Sequence, residues 1–473
     1  MNIGKKTKVV ATIGPATESE VMLEKLVDAG LNVMRLNFSH GDHPEHQKRV
    51  DSLRKVMKKT GKTVAILQDL SGPKIRIGEF YQERVNLKEG NTFTLTTEKI
   101  VGDEKRAYVN YPTLPEELKK GNFVLLDDGK KKLEVVDIKG KEIICKIIVG
   151  GETKGKRGVN LPGAYLKTSS ITEKDRKDLE FGIKNKVDYI ALSFVRRSED
   201  VLELRELLKK AKSEALIISK IETEEAIENI DKIIEVTDGI MVARGDLAIE
   251  VPAEKVPMIQ KSIIEKCNEL GKPVITATQM LESMIKSPVP TRAEVSDIAN
   301  AILDGTDAIM LSEETTLGSF PIEAVQVMTR VALEIEADFP ERYAWVRSNE
   351  KGEVGIADSI TGSVVNTAHD VGAKLIFALT ETGSTARMIS RYRPEPFVIA
   401  ISPNDKAIQQ LALSWGVYPV KIPRVKTLEE AFKTVRAFCL KSKIATKGDK
   451  VVIAAGAPFN KKVPANMLMV EVI

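Results

Sequence analysis

Cysteine is scarce in this chain, with three in 473 residues. Cys145, Cys267 and Cys439 are odd in number and far apart, and no CxxC spacing occurs. That excludes a disulfide framework and a cysteine zinc site. Cys267 falls on the helical pattern of 258–270 and reads as a core thiol. An excess of charge of one sign is also missing: 71 basic against 67 acidic residues leave a formal charge of +4. Such a balance gives no footprint for nucleic acid. No apolar run reaches the roughly 18 residues of a transmembrane helix, so no membrane partner is expected. The opening text MNIGKKTKVVATIG runs at once into strand-like sequence without a secretory apolar stretch, and the expected compartment is the cytoplasm. Neither GxxxxGK[ST] nor GxGxxG is present, which removes a P-loop or Rossmann site for any nucleotide. Internal repeats and low-complexity segments are absent as well.

What the chain does have is the composition of a soluble globular protein, 42% apolar and 29% charged, at a length that calls for two or three domains. Eight short apolar runs recur with amphipathic helical text between them: KVVATIG (8–14), VMRLNF (33–38), VAILQDL (64–70), YIALSF (189–194), ALIISKIE (215–222), GIMVARG (239–245), PVITATQ (273–279) and AIMLSEE (308–314). Predicted helices include Ser198–Ala211, Glu224–Thr237 and Ala253–Leu270. Continuous apolar strands are those of a parallel sheet covered on both faces, and eight β/α units predict a (β/α)8 TIM barrel. A doubly wound open sheet is the rival. After the third run, residues 73–168 turn into alternating β text with turn dipeptides at Asp128-Gly129 and Lys139-Gly140, an inserted small all-β lid. Gly72-Pro73 reads as its hinge, and the barrel is then 1–72 plus 169–340. Ala337–Gly355 reads as a connector, and five further strands within 355–473 predict a C-terminal α/β domain.

Polar residues gather where strand text stops, which is the catalytic face of such barrels. Lys220 and Glu222 share one strand face, and Asp246 follows the next strand. Two carboxylates beside one ammonium suit Mg²⁺ or Mn²⁺ and a transferring phosphoryl group. Gly14-Pro15, Arg35, Asn37, Ser39, His40, Asp69, Thr278, Ser312 and Glu314 occupy the other strand ends. Each has a plainer reading. Arg35 suits a surface ion pair, Asn37 and Ser39 suit helix caps, and Lys220–Glu222 suits a structural ion pair. His43, His46 and His369 are assigned to turns and surface, and the Lys130–Lys132 run to a solvated hairpin edge.

The motifs MRLNFSHG (34–41), QDLSGPKIR (68–76), KGKRGVNLPG (154–163), SKIE (219–222), MVARGDLAIEVP (241–252), ATQMLESM (277–284), PTRAEVSDIANAILDG (290–305) and MLSEETTLG (310–318) resemble pyruvate kinase over essentially the whole length. The resemblance implies phosphoryl transfer from phosphoenolpyruvate to ADP, giving ATP and pyruvate, in an allosteric homotetramer. It implies that Glu222 and Asp246 bind Mg²⁺ and that Lys220 neutralises the moving phosphoryl group. Gly245 and Asp246 amides with Thr278 would hold the substrate carboxylate. Arg35 and Arg76 would contact phosphates, and Pro15, His40 and Arg157 would line the ADP site. Thr278, Ser312 and Glu314 would stand near the proton delivered to the enolate.

Two positions depart from the family pattern. Potassium-dependent members have Thr and Glu where this chain has Leu70 and Lys74. A Lys74 ammonium beside Asn37, Ser39 and Asp69 is therefore expected to replace K⁺. Glu313 stands where animal members have Gly and is expected to point away from the site. In the C-terminal text LTETGSTARMIS (379–390), Thr380, Thr382, Ser384 and Thr385 match the family's effector loop for a phosphorylated activator, against ordinary N-capping. Another metal-dependent enolate barrel, an aldolase or lyase acting on pyruvate, and a catalytically silent metabolite sensor are the competing functions.

Overall fold

The computed structural model describes residues 4–339, 355–459 and 463–473. The expected connector at Ala337–Gly355 lies largely outside the described residues. Eight parallel strands close into a barrel: Lys8–Thr12, Val33–Asn37, Ala65–Asp69, Tyr189–Leu192, Leu216–Ile221, Gly239–Ala243, Val274–Ala277 and Ala308–Leu311. All eight expected runs are present, in the expected order around the ring, and the open-sheet rival is gone. Almost every strand residue is buried, because side chains face either the barrel interior or the surrounding helices. Val10, Val33, Ala65, Tyr189 and Met241 fill part of the interior, so the barrel is a packed core rather than a pore.

The strands stop earlier than the apolar text does. Pro15, Ser39, His40, Glu222, Gly245, Thr278 and Ser312 therefore lie just beyond strand ends, on loops or first helical turns. Asp246 lies in the first turn of a short helix, Arg244–Glu250. Two expected helices are also modified. Glu224–Thr237 is two helices, Glu224–Glu228 and Ile230–Val236, divided at Asn229, whose side-chain amide donates to Glu225 O (3.0 Å) and Arg196 O (3.1 Å). Ala253–Leu270 opens as a 3₁₀ turn, and the α-helix starts at Val256 with Pro257 in its first turn. Elsewhere the starts follow capping chemistry: Thr172 with Asp175 and Thr291 with Glu294 form capping boxes.

Between the third and fourth barrel strands the chain builds a two-stranded and a six-stranded sheet around Phe93, Leu133, Cys145 and Ile147. The turns fall where the sequence put them, with left-handed Asp128, Gly129 and Gly140. Beyond the barrel, five strands form one sheet in the order Val417–Lys421, Phe397–Ser402, Leu375–Leu379, Lys450–Ala455, Met467–Val472. Only the last is antiparallel, and it lies at the sheet edge. This α/β unit is bolted to the barrel's base by buried charge: Lys406 Nζ meets Asp188 at 2.8 Å and Arg393 meets Asp307 at 2.9 Å. All three cysteines are buried, as expected for Cys267.

Candidate active site

Asp69, at the end of the third strand, is the hub of the barrel mouth. It is 1% exposed, and its two oxygens are divided between two cations. Oδ2 accepts from Arg35 Nε at 2.7 Å, and Oδ1 lies 3.2 Å from Lys220 Nζ. Burial opposes its charge, but Lys220 and Arg35 outweigh that and hold its pKa below the usual carboxylate range. Lys220 also donates to Ser193 Oγ at 2.7 Å and pairs with Glu222 Oε1 at 2.9 Å. Burial alone would lower the pKa of this lysine. Asp69 and Glu222 reverse the effect, so its pKa is raised and the ammonium is fixed at neutral pH.

The four neighbours of Lys220 and Arg35 come from four different strands or their ends. Arg35 Nη1 donates to Thr12 Oγ1 (2.8 Å), whose hydroxyl in turn donates to Leu311 O (2.9 Å). Ser193 Oγ donates to Leu70 O at 2.7 Å. Glu222 Oε2 accepts the Phe194 N–H at 2.7 Å, and Phe194 itself adopts a left-handed φ of 53°. Neither Ser193 nor Thr12 was singled out from the sequence. The signal was available, since Ser193 is the polar tip of YIALSF, but a lone hydroxyl at a strand end reads like any cap.

Across the mouth, Thr278 and Gln279 are consecutive non-glycine residues with φ of 68° and 55°. A β-branched residue there is strained. Arg244 holds the turn, donating to Thr278 O at 2.8 Å and anchored to Asp297 at 2.7 Å. Thr278 Oγ1 accepts the Gly245 N–H at 2.8 Å. A substrate carboxylate on that amide would have to displace the threonine hydroxyl.

The Glu314 side chain is buried, and burial raises its pKa. Its oxygens accept the Ser312 N–H (2.7 Å) and the Leu281 N–H (3.2 Å). It thus clamps the loops after the seventh and eighth strands together, a holding role rather than a free acid. Glu313 is exposed.

Other expected residues lie further out. Asn37 Oδ1 accepts the Ser39 N–H (3.1 Å), and Ser39 Oγ meets Ser71 Oγ at 3.3 Å. Pro15 and His40 are exposed. Partial desolvation of its ring, then the charges of Lys74, Arg76 and Arg35, lower the His40 pKa. Arg76 donates to Lys156 O (3.0 Å) and Arg157 pairs with Asp127 (3.2 Å), both within the inserted sheets. A cleft of about 880 Å³ between the insert and the barrel is lined by Lys74, Asn160, Phe194 and Asp246 among others. Asn160 donates to Glu250 at 3.2 Å across it. His43 pairs with Asp178 (2.7 Å), His46 stacks on Phe38, and His369 is exposed, all structural or surface positions. Lys132, expected to be solvated, lies over the Phe123 ring at 3.8 Å.

Two family models cover most of the chain: "Pyruvate kinase, barrel domain" matches residues 4–325 and "Pyruvate kinase, alpha/beta domain" matches 358–471. The chain belongs to the pyruvate kinase family. Curated pyruvate kinases from Geobacillus stearothermophilus and Staphylococcus aureus are 47% and 46% identical, over 99% of this chain and 80% of their own length. A crystal structure of a pyruvate kinase from Cryptosporidium parvum superposes with a TM-score of 0.95 at 39% identity, covering 99% of this chain and 96% of that one. The protein is therefore a phosphotransferase, in a family that generally uses a divalent metal. The aldolase, lyase and silent-sensor readings fall away.

The effector-like residues line a separate pocket of about 940 Å³ in the C-terminal unit. Thr382 and Ser384 are exposed and Thr380 and Thr385 buried. Thr380 Oγ1 accepts the Gly383 N–H (3.0 Å), and Thr382 donates to Ser384 (3.3 Å). Arg424, which also lines the pocket, is paired with Glu381. Among the described residues no helix is long and apolar enough to cross a membrane.

Proposed function

We propose that this enzyme transfers the phosphoryl group of phosphoenolpyruvate to ADP, giving ATP and pyruvate, with Lys220 as the group that meets the phosphoryl in flight. The buried Lys220 ammonium, held by Asp69, Glu222 and Ser193 at the barrel mouth, carries the reading. An ammonium fixed before the reaction stabilises developing charge without reorganising. Arg35 stands beside it on the other oxygen of Asp69 and adds a second positive charge, while Arg76, His40, Pro15 and Arg157 border the nucleotide's side.

Glu222 and Asp246 fit a divalent cation. Burial raises the Glu222 pKa, Lys220 opposes that, and the Asp246 charge adds to the rise, so the two carboxylates repel in a dry site. Three carboxylates (Asp69, Glu222, Asp246) face two cations (Lys220, Arg35), an excess of negative charge that is unsuited to an anionic substrate until a metal is bound. Mg²⁺ or Mn²⁺ needs only one or two protein carboxylates and keeps its other positions for water and substrate oxygens. When bound it supplies Lewis-acid charge to those oxygens. The strained Thr278 hydroxyl, next to the Gly245 and Asp246 amides, is the group placed to orient the substrate carboxylate or to pass a proton to the enolate.

Lys74 takes the part of the monovalent cation, so K⁺ is not required. Its position near His40 and in the cleft with Asp246 supports this. The insert, 73–168, acts as the lid of the barrel formed by 1–72 and 169–340, and 355–473 is the regulatory unit. Its 940 Å³ hydroxyl-lined pocket suits a phosphorylated activator. An edge strand with exposed Val470 and Val472 supports self-association, with a homotetramer as the expected assembly in the cytoplasm. A coupled assay with phosphoenolpyruvate, ADP and Mg²⁺ should form ATP and pyruvate. Binding of phosphoenolpyruvate without turnover would reject the reading.

A further inference from the structure

Between the barrel's base and the C-terminal sheet lies a narrow crevice, far from the mouth, lined by Lys272, Asp307, Arg387, Arg393 and Ser414 among others. Its floor is the loop before the seventh barrel strand. Its roof is the helix Ser384–Ser390, packed so tightly that a side chain at Gly271 would meet Met388 Sδ at 2.9 Å.

The charges around it do not balance. Asp307 is fully used: it pairs with Arg393 (2.9 Å) and accepts the Trp415 and Val274 N–H groups at 3.0 and 3.1 Å. Lys272 donates to Thr237 O at 2.7 Å, and Arg387 donates to Thr382 O at 3.1 Å. Neither forms an ion pair among the described residues. Asp238 is the carboxylate whose field reaches both, and it is held by Arg205 (3.0 Å) and the Ile217 N–H (2.8 Å). Burial lowers the pKa of both cations, and the Arg387 charge adds to the fall at Lys272. Arg387 Nη1, Arg393 Nε and Ser414 Oγ, on lining residues, are buried polar atoms with no hydrogen-bond partner. Ser414 and Arg393 are 1% and 2% exposed. Half-buried like charges and unpaired buried donors are unfavourable, and a counter-charge among them relieves both at once.

We propose that this crevice binds a single small inorganic anion between the Lys272 ammonium and the Arg387 guanidinium, with the Ser414 hydroxyl as a further donor. It has room for little more than one water-sized particle, about 10 Å³, so it takes at most a halide-sized ion and not a sugar phosphate, unlike the roomier pocket above, with about 270 Å³ of such room. The ion would tie the helix Ser384–Ser390 to the loop that feeds the strand Val274–Ala277, and so to Thr278. The inference does not depend on the reaction at the mouth.

Crystals of the full chain soaked in sodium bromide should give an anomalous peak between Lys272 and Arg387. Peaks only elsewhere would overturn the site. Thermal scans at matched ionic strength should show a midpoint higher by roughly 2 °C in sodium chloride than in sodium gluconate. Arg387→Gln should abolish that difference and Arg387→Lys keep it. Lys272→Gln gives the same reading if the first variant does not fold. Equal midpoints of the unaltered protein in the two salts would reject a specific anion and leave only water in the crevice.

Discussion

The barrel mouth and the hydroxyl-rich pocket of the C-terminal unit are both read as phosphate sites, yet they are built in opposite ways. At the mouth the two buried cations are spoken for: Lys220 touches Asp69, Glu222 and Ser193, and Arg35 touches Asp69 and Thr12. In the pocket Thr382 and Ser384 are exposed and bond each other, and the cation Arg424 is held by a carboxylate of the same loop. The first arrangement fixes charge before substrate arrives, which is what rate acceleration requires. The second leaves groups free to exchange partners, which suits a ligand that must come and go. Breaking the mouth should cost orders of magnitude in rate; breaking the pocket should cost only response.

The largest effect is expected at Lys220. Lys220→Met removes the fixed ammonium and leaves Asp69 and Glu222 less compensated, and phosphoryl transfer should fall by roughly 10³-fold or more in kcat. Enolisation of pyruvate, followed by exchange of its methyl protons with solvent deuterium, should survive in part, because Thr278 is untouched. Equal loss of both would mean that the lysine serves the fold rather than the phosphoryl group.

Ser193 comes next, and it tests whether the hydroxyl positions the ammonium. Ser193→Ala removes one charge-assisted hydrogen bond of about 1.5–3 kcal/mol. We expect roughly a 10- to 100-fold drop in kcat with little change in KM for phosphoenolpyruvate. Ser193→Thr should recover most of the loss. A change confined to KM would place Ser193 in substrate binding instead.

How far the sequence could foretell these two regions follows from where their contacts come from. The strands were legible because parallel barrel strands are buried on both faces and show as unbroken apolar text. Lys220 and Glu222 were legible as a pair because two residues apart on a strand is one face, and the pair is 2.9 Å apart. Asp69 as a hub was not, since its partners Arg35 and Lys220 lie on other strands and only closure of the ring brings them to one carboxylate. Asn229 split a helix that periodicity ran straight through, because a side-chain amide competing for backbone carbonyls leaves no mark on an apolar pattern. The crevice of Lys272 and Arg387 was invisible for the same reason as the Asp69 hub: its two cations belong to different units and meet only when those units dock.

Lys74 sharpens the comparison from the mouth's outer edge. It is exposed and near His40 rather than interlocked, so its charge should be replaceable. Lys74→Glu should create a K⁺ requirement, with activity in tetramethylammonium roughly 5- to 150-fold below that in K⁺, the range of ordinary coupling energies. The unaltered enzyme should be indifferent to the exchange. Turnover that collapses in the unaltered enzyme would end the idea that Lys74 stands in for the ion.

The smallest effect is expected in the C-terminal pocket, where the resting Glu381–Arg424 pair competes with any anionic ligand. Surface pairs of this kind are worth about 0–1 kcal/mol. Glu381→Gln should therefore tighten half-maximal activation by a phosphorylated activator by no more than about fivefold. Arg424→Gln should weaken it by more, since the ligand then loses a cation rather than a competitor. Activity without activator at saturating substrate should not move in either variant. If Glu381→Gln instead weakens activation, the carboxylate holds the loop in its binding shape, and the pocket is as preorganised as the mouth.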